Sequence, residues 1–272
     1  MPAPAKQTKR RFGLLDFIRI LLVLVILCAL EVIAYRLWDY KTGTDRYDQL
    51  QQQAVQPVEE TQEEGFVPLD IDFDALREEG PDIIGWIGFD SVEISYPIVY
   101  SGDNSYYLRR LWDGSYNQAG TLFLEGNNQS LDDLHAIVYG HNMRNGTMFG
   151  ELSSFGEREF LLENAVVRFD TLYENALYVP FAIFEASMDE DDAHYFDVRQ
   201  IVFDETSFEL FVLKLRGRSV FDVPVEVEYG DQLLTLVTCS YNDDDGRYIV
   251  ALRKLREGET QEEIRALMAE AR

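Results

Sequence analysis

The sequence predicts a β-rich α+β fold: a closed or nearly closed β-barrel, decorated by N-terminal helices and by one long helix ahead of the last strand pair. Three observations predict it. Short β-branched or aromatic runs recur along the chain, each bounded by Gly, Asn or Asp: "GTLFLEG", "HAIVYG", "AVVRFD", "ALYVPFAIFEA", "VPVEVEY" and "QLLTLVTC". Helical patterns are few, and no internal repeat is present. The 272 residues, 46 % of them apolar, suffice for one sizeable core plus extra segments.

Lys6, Lys9, Arg10 and Arg11 crowd the first dozen positions. The apolar run "LLDFIRILLVLVILCALEVIAY" follows, Leu14 to Tyr35. As a helix of 22 residues it spans about 33 Å, close to the hydrocarbon thickness of a bilayer. Asp16 and Arg19 stand three apart near its start and can pair or reach toward headgroups. The basic flank precedes the span, so residues 1–13 are expected in the cytoplasm, residues 14–38 as a signal-anchor and the bulk of the chain outside. A cleaved signal peptide is the competing reading, because the uninterrupted core Ile20 to Leu30 is short and Val32-Ile33-Ala34 is a tolerable cleavage site. Both readings export residues 40–272.

Residues 39–65 include "DQLQQQAVQPVEETQEEG", which is polar and poor in large apolar side chains. It reads as a stalk, helical up to Pro57. The globular domain is expected over residues 66–258. "IDFDALREEGPDIIGWIGF" predicts a short helix capped by Asp70 or Asp72, stopped at Gly80-Pro81, then a strand around Trp86. Pro97 in "VEISYPIVY" suits an edge or a bulge. "NSYYLRRLW", "TMFGELSSF" and "EREFLLENA" are short helical candidates. "DETSFELFVLKLRGRS" is the longest, with Asp204 as cap and an apolar stripe at Phe208, Phe211, Val212 and Leu215. Residues 259–272 predict a charged terminal helix.

The formal net charge of −25 disfavours nucleic acid as a partner, since phosphates would be repelled. It serves solubility, and it leaves room for a cationic partner. The two cysteines are Cys28, inside the membrane run, and Cys239. A single exported cysteine suggests a reactive thiol or an intermolecular disulfide. Without a CxxC, dithiol redox chemistry and structural zinc are disfavoured.

A thiol nucleophile needs an acid/base partner and a group to stabilise an oxyanion. Three histidines are available. His194 lies in the acidic stretch "MDEDDAHYFD" and reads as a solvated surface residue. His135 opens "HAIVYG" at a strand edge. His141 follows the same strand in "IVYGHNMRNGTMF", where Gly140, Asn142 and Gly146 mark a sharp exit, and strand ends beside loops often carry site residues. On the residues alone, His141 can be catalytic or structural. Arg247, after "NDDD", can equally be a counter-ion for Asp243, Asp244 and Asp245. That acidic loop lacks the ligand spacing of a calcium loop.

The residues also carry a resemblance. "TLVTC", followed eight residues after its cysteine by the arginine of "DGRYIV", resembles the Cys and Arg strand pair of sortases. "IVYGHNMRNGTMFGEL" is similar to the histidine segment of class B sortases, and "PDIIGWI", "YPIVYSGDNSYYLRR" and "GTLFLEGNN" match that class in order and spacing. The resemblance covers about residues 68–256. It implies a sortase-type barrel and a membrane-anchored cysteine transpeptidase, with Cys239 as nucleophile, His141 as general acid/base and Arg247 as the stabilising residue. No metal or organic cofactor is implied. The implied partners are secreted proteins with a C-terminal sorting signal, cut after Thr, and an amine of a cell-wall precursor or a pilin. One departure matters, Val237 where many class B members have serine, which puts that hydroxyl's contribution in doubt; Glu125, where aspartate is usual, is a minor one. An exported cysteine hydrolase and a non-catalytic surface-binding domain are the rival readings. An L,D-transpeptidase is disfavoured because its His-Gly and Gly-Cys motif is absent.

Overall fold

The computed structural model describes residues 13–57, 69–89, 91–92, 94–239 and 246–272. Helix α1 runs over Leu14–Ala54, and its first part is long and apolar enough to cross a membrane. The chain divides into two compact units, one up to Thr42 and one over Gly43–Arg272.

In the second unit, strand β1 (Val55–Pro57) pairs antiparallel with β2 (Leu69–Ile71). Helix α2 (Phe73–Glu79) follows, its first turn capped by the Asp72 carboxylate accepting from the Ala75 N–H at 2.9 Å. Strands β3 (Ile83–Gly88), β4 (Ser95–Val99), β5 (Leu122–Leu124), β6 (His135–Gly140), β7 (Val167–Thr171), β8 (Asn175–Ser187), β9 (Leu233–Cys239) and β10 (Gly246–Lys254) close into a barrel in the order β10-β8-β7-β3-β4-β5-β6-β9. The pairs β4–β5 and β6–β9 are parallel and the rest antiparallel. Closure removes the exposed edges that an open sheet of this width would have to protect. Pro97 is tolerated because its neighbour β5 begins pairing only at Ile98, so the missing N–H costs no ladder bond there.

Helix α3 (Arg158–Glu163) and the 3₁₀ turns Tyr106–Arg109 and Leu152–Gly156 fill the connections. The segments "NSYYLRRLW" and "TMFGELSSF" are thus 3₁₀ turns rather than α-helices. The long helix is present as α4 (Glu205–Arg216), with Asp204 and Ser207 in a reciprocal capping box and Phe208, Phe211, Val212 and Leu215 all buried. The terminal helix α5 (Gln261–Met268) is capped by Thr260 and Glu263.

Two further expectations are corrected. "VPVEVEY" is not a strand. Val223 and Val225 are buried, but their carbonyls accept from the Arg216 guanidinium, which takes the acceptors a ladder would need. The packed unit also begins at Gly43, not near Phe66. Tyr47, Leu50 and Ala54 form a buried stripe at helical spacing within the segment read as a free stalk. The remaining stalk residues, 58–65, lie outside the described residues.

Candidate active site

Strand order and register bring His141, far away in the chain, to the same end of the barrel as Cys239 and Arg247. Because β6 and β9 are parallel, they finish at the same end. Gly140 is the register partner of Thr238, so His141, one residue on, is level with Cys239. Strand β10 runs back antiparallel from that end, and Arg247 is the partner of Cys239. Direct partners of an antiparallel pair have Cα atoms about 4.5–5.5 Å apart. The sequence therefore places the thiol-bearing residue, the imidazole and the guanidinium on adjacent strand ends. His194 takes no part: it follows β8, where its carbonyl accepts from the Ser187 N–H. The loop residues Asp243, Asp244 and Asp245 lie outside the described residues.

Local structure fixes the His141 backbone. Gly140 leaves β6 under close packing, since a Cβ there would lie 2.6 Å from Phe149 Cδ2 and would also meet Leu122. Asn142 and Met148 form an antiparallel bridge across the loop, and the Phe149 N–H donates to the His141 carbonyl at 3.0 Å. Met148 is buried with φ 56°, an uncommon conformation for a residue with a side chain. The imidazole is half-buried and its Nε2–H donates to the Leu108 carbonyl at 2.6 Å. A carbonyl only accepts, so this contact fixes the proton on Nε2 in the neutral ring. Burial lowers the His141 pKa below its ordinary value, the Leu108 carbonyl opposes that, and nearby Arg109 adds to it. Arg247 is half-buried, with Nη1 donating to the Gly246 carbonyl at 2.8 Å.

His135 is a different kind of histidine. It is fully buried, its Nδ1–H donating to the Gln200 carbonyl and its Nε2 accepting from Thr235 Oγ1, both at 2.7 Å. Its ring packs against Phe211 of α4. Burial pushes its pKa down to about 4. It ties β6 to β9, the two strands that end at His141 and Cys239.

Glu125, a minor departure on sequence, is buried beside the site. Its carboxylate accepts from Asn104 Nδ2 at 2.9 Å, Asn127 Nδ2 at 3.0 Å and the Tyr139 hydroxyl at 2.8 Å. Tyr139 stands two residues before His141 and is the register partner of Val237. Burial, then the Glu125 charge, raise its pKa. A carboxylate ringed by two Asn side chains and a Tyr has no periodic signature, so the sequence marked Glu125 only as a departure and not as part of a network.

An eight-stranded barrel of this topology, ending in a Cys strand and an Arg strand, defines a family of cysteine transpeptidases. A family model described as the sortase domain matches residues 87–254, and the chain belongs to the sortase family. Among relatives, it is 30 % identical over 178 residues to sortase B of Listeria monocytogenes, covering 64 % of this chain and 70 % of that one. It is 23 % identical over 245 residues to sortase B of Staphylococcus aureus, covering 89 % and 97 %. The crystal structure of B. anthracis sortase B in complex with AAEK1 superposes with a TM-score of 0.67 at 28 % identity, covering 81 % of this chain and all of that one. The protein is accordingly a sortase-type transpeptidase of class B, of the kind that anchors surface proteins. Sortases are membrane-associated and act in general on proteins bearing sorting signals and on cell-wall precursors.

Proposed function

We propose that Cys239 is the nucleophile, His141 the general acid/base and Arg247 the oxyanion-stabilising residue. The reaction is cleavage of a C-terminal sorting motif after Thr, with transfer of the acyl group to an amine of a cell-wall peptide precursor or a pilin. The observation that carries this reading is the register: Arg247 opposite Cys239, and His141 level with it. The Cys239 thiolate attacks the Thr carbonyl carbon and the C=O π electrons move to oxygen. Arg247 donates to that oxyanion. The tetrahedral intermediate collapses, the C–N bond breaks, and the imidazolium of His141 gives its proton to the departing amine. The resulting thioester is attacked by the acceptor amine. Neutral His141 takes that amine's proton, and the thiolate leaves.

Depression of the His141 pKa makes the charged donor a minor form at neutral pH. The limb of the kcat profile set by His141 then falls on the acid side of pH 6.5. The orientation proposed for the anchor has residues 1–13 in the cytoplasm, residues 14–38 across the membrane and the barrel outside. The basic residues ahead of the apolar run support it.

The test is mass spectrometry of the full chain with a panel of sorting peptides, with and without an added amine. Cleavage after Thr, a mass adduct on Cys239 and amine-dependent product are expected, with Cys239→Ala folded and silent. Sizeable cleavage by folded Cys239→Ala would end the reading. Product formed with water alone, indifferent to amine, would make the protein a hydrolase.

A further inference from the structure

We infer that the last turns of α1, through Tyr47, position the His141 imidazole by bracing the segment that supplies its hydrogen-bond acceptor. Tyr47 is thus a positioning residue. This rests on the proposed role of His141.

The acceptor, the Leu108 carbonyl, belongs to the 3₁₀ turn Tyr106–Arg109, which carries no ladder of its own. Two things hold that turn. From within, Gly120 (φ +62°) lies against it so closely that a Cβ would come 2.6 Å from both the Tyr107 and Leu108 carbonyl oxygens. The Thr121 N–H donates to the Tyr107 carbonyl at 3.1 Å, and Thr121 Oγ1 to the Arg110 carbonyl at 2.9 Å. From outside, α1 grips the same stretch. The Tyr47 hydroxyl donates to the Gly120 carbonyl at 2.6 Å and lies 2.9 Å from Thr121 Oγ1. The Tyr47 ring packs on Trp112 at 4.8 Å and on Tyr96 at 5.2 Å. One residue earlier on the helix, Arg46 reaches Asp113 at 2.5 Å and Ser115 at 2.7 Å.

The connections therefore run from the Tyr47 hydroxyl to Gly120 and Thr121, from Thr121 to the Tyr107 and Arg110 carbonyls that flank Leu108, and from the Leu108 carbonyl to His141 Nε2. Tyr47 is buried, and its hydroxyl meets Gly120 and Thr121. Tyr47 lies only a dozen residues beyond the apolar run that ends at Tyr35. Release of the Leu108 carbonyl removes the contact that selects the Nε2–H tautomer. In neutral His141 the other nitrogen would then compete for the proton, and the imidazolium would lose an acceptor that stabilises it.

The experiment uses the full chain in detergent micelles with ring-¹⁵N histidine, in which the His141 signals are identified by their loss in the His141→Gln variant. The wild type is expected to show His141 as the Nε2–H tautomer. In Tyr47→Phe, which removes one hydroxyl and keeps the ring, the His141 signals are expected to move toward a tautomer mixture. The His141 limb of the kcat profile moves to lower pH, and kcat falls about tenfold with KM little changed. Arg46→Gln, measured alongside, carries the same direction with a smaller effect and keeps the test usable if Tyr47→Phe does not fold. A Tyr47→Phe protein that folds, with His141 ring signals and pH profile unmoved, overturns the inference. Full turnover by His141→Gln would instead sink the role of His141, while the ring signals would still report whether α1 holds the imidazole.

Discussion

His135 offers the sharpest energetic prediction, because it is a fully buried imidazole in a neutral network. The perturbation is acidification. In the unfolded chain its pKa is 6.5, and in the folded chain burial lowers it to about 4. The unfolded state therefore binds more protons throughout that window, and stability falls as pH drops from 6.5, the loss being complete below about 4. At about 1.4 kcal/mol per pH unit the loss amounts to about 3 kcal/mol. For a domain of this size that is a melting-temperature drop of about 6–12 °C. Asp170 works against it in the same range. Burial pushes its carboxyl up to about 6 against the pull of its ion-pair partner Arg168, so it gains stability as pH falls from 6 toward 3.8. The raw melting curve is thus a poor readout, and the difference between wild type and His135→Gln is the right one, since Asp170 cancels from it. Thermal melts by near-ultraviolet circular dichroism from pH 7.5 to pH 4 are the assay. The wild type should lose about 3 kcal/mol relative to His135→Gln across that range. A difference that stays flat would refute the account of His135 as a buried neutral strap between β6 and β9.

Arg247→Lys keeps the charge and loses the planar fork of donors, and we expect a folded protein with turnover reduced roughly 100-fold. The double variant Asp243→Asn, Asp244→Asn should stay active; the opposite pattern in steady-state kinetics would make Arg247 a mere counter-ion and move the loop into the mechanism. Gly140→Ala inserts a Cβ against Phe149 and Leu122 directly before His141, and should cost about 1–3 kcal/mol in a denaturant titration together with a loss of turnover. A destabilisation near zero would show that the β6 exit is looser than the packing implies.

Much of this fold was legible because its signals are periodic. The stripe Phe208, Phe211, Val212 and Leu215 is buried as its spacing requires, and "HAIVYG" is strand β6 residue for residue. What stayed hidden was decided by tertiary partners. In "DQLQQQA", Leu50 and Ala54 are too sparse among Gln and Asp to announce a buried face, yet with Tyr47 they pack on the domain. "VPVEVEY" alternates as a strand should, but its acceptors are claimed by the Arg216 side chain. The Cys and Arg segments were legible as motifs. The holder of the imidazole was not, because the Leu108 carbonyl is a backbone group and any residue there supplies one.

The proposed site is assembled from strand ends. Parallel pairing of β6 with β9 requires a long connection, and here it includes β7, β8 and α4. It has one geometric consequence that an antiparallel hairpin cannot give: both strands exit at the same end, so the residue after one is level with the last residue of the other. The third strand runs antiparallel to β9 and puts Arg247 opposite Cys239. Two of the three positions are thus fixed by ladder hydrogen bonds inside a closed barrel. His141 is one residue beyond its ladder, and its ring must be held by something else. Its ring donates to the Leu108 carbonyl of a 3₁₀ turn that depends on its neighbours for rigidity. If His141 is the acid/base proposed above, substitutions that leave the barrel intact but loosen the turn that holds its ring should change kcat more than they change stability.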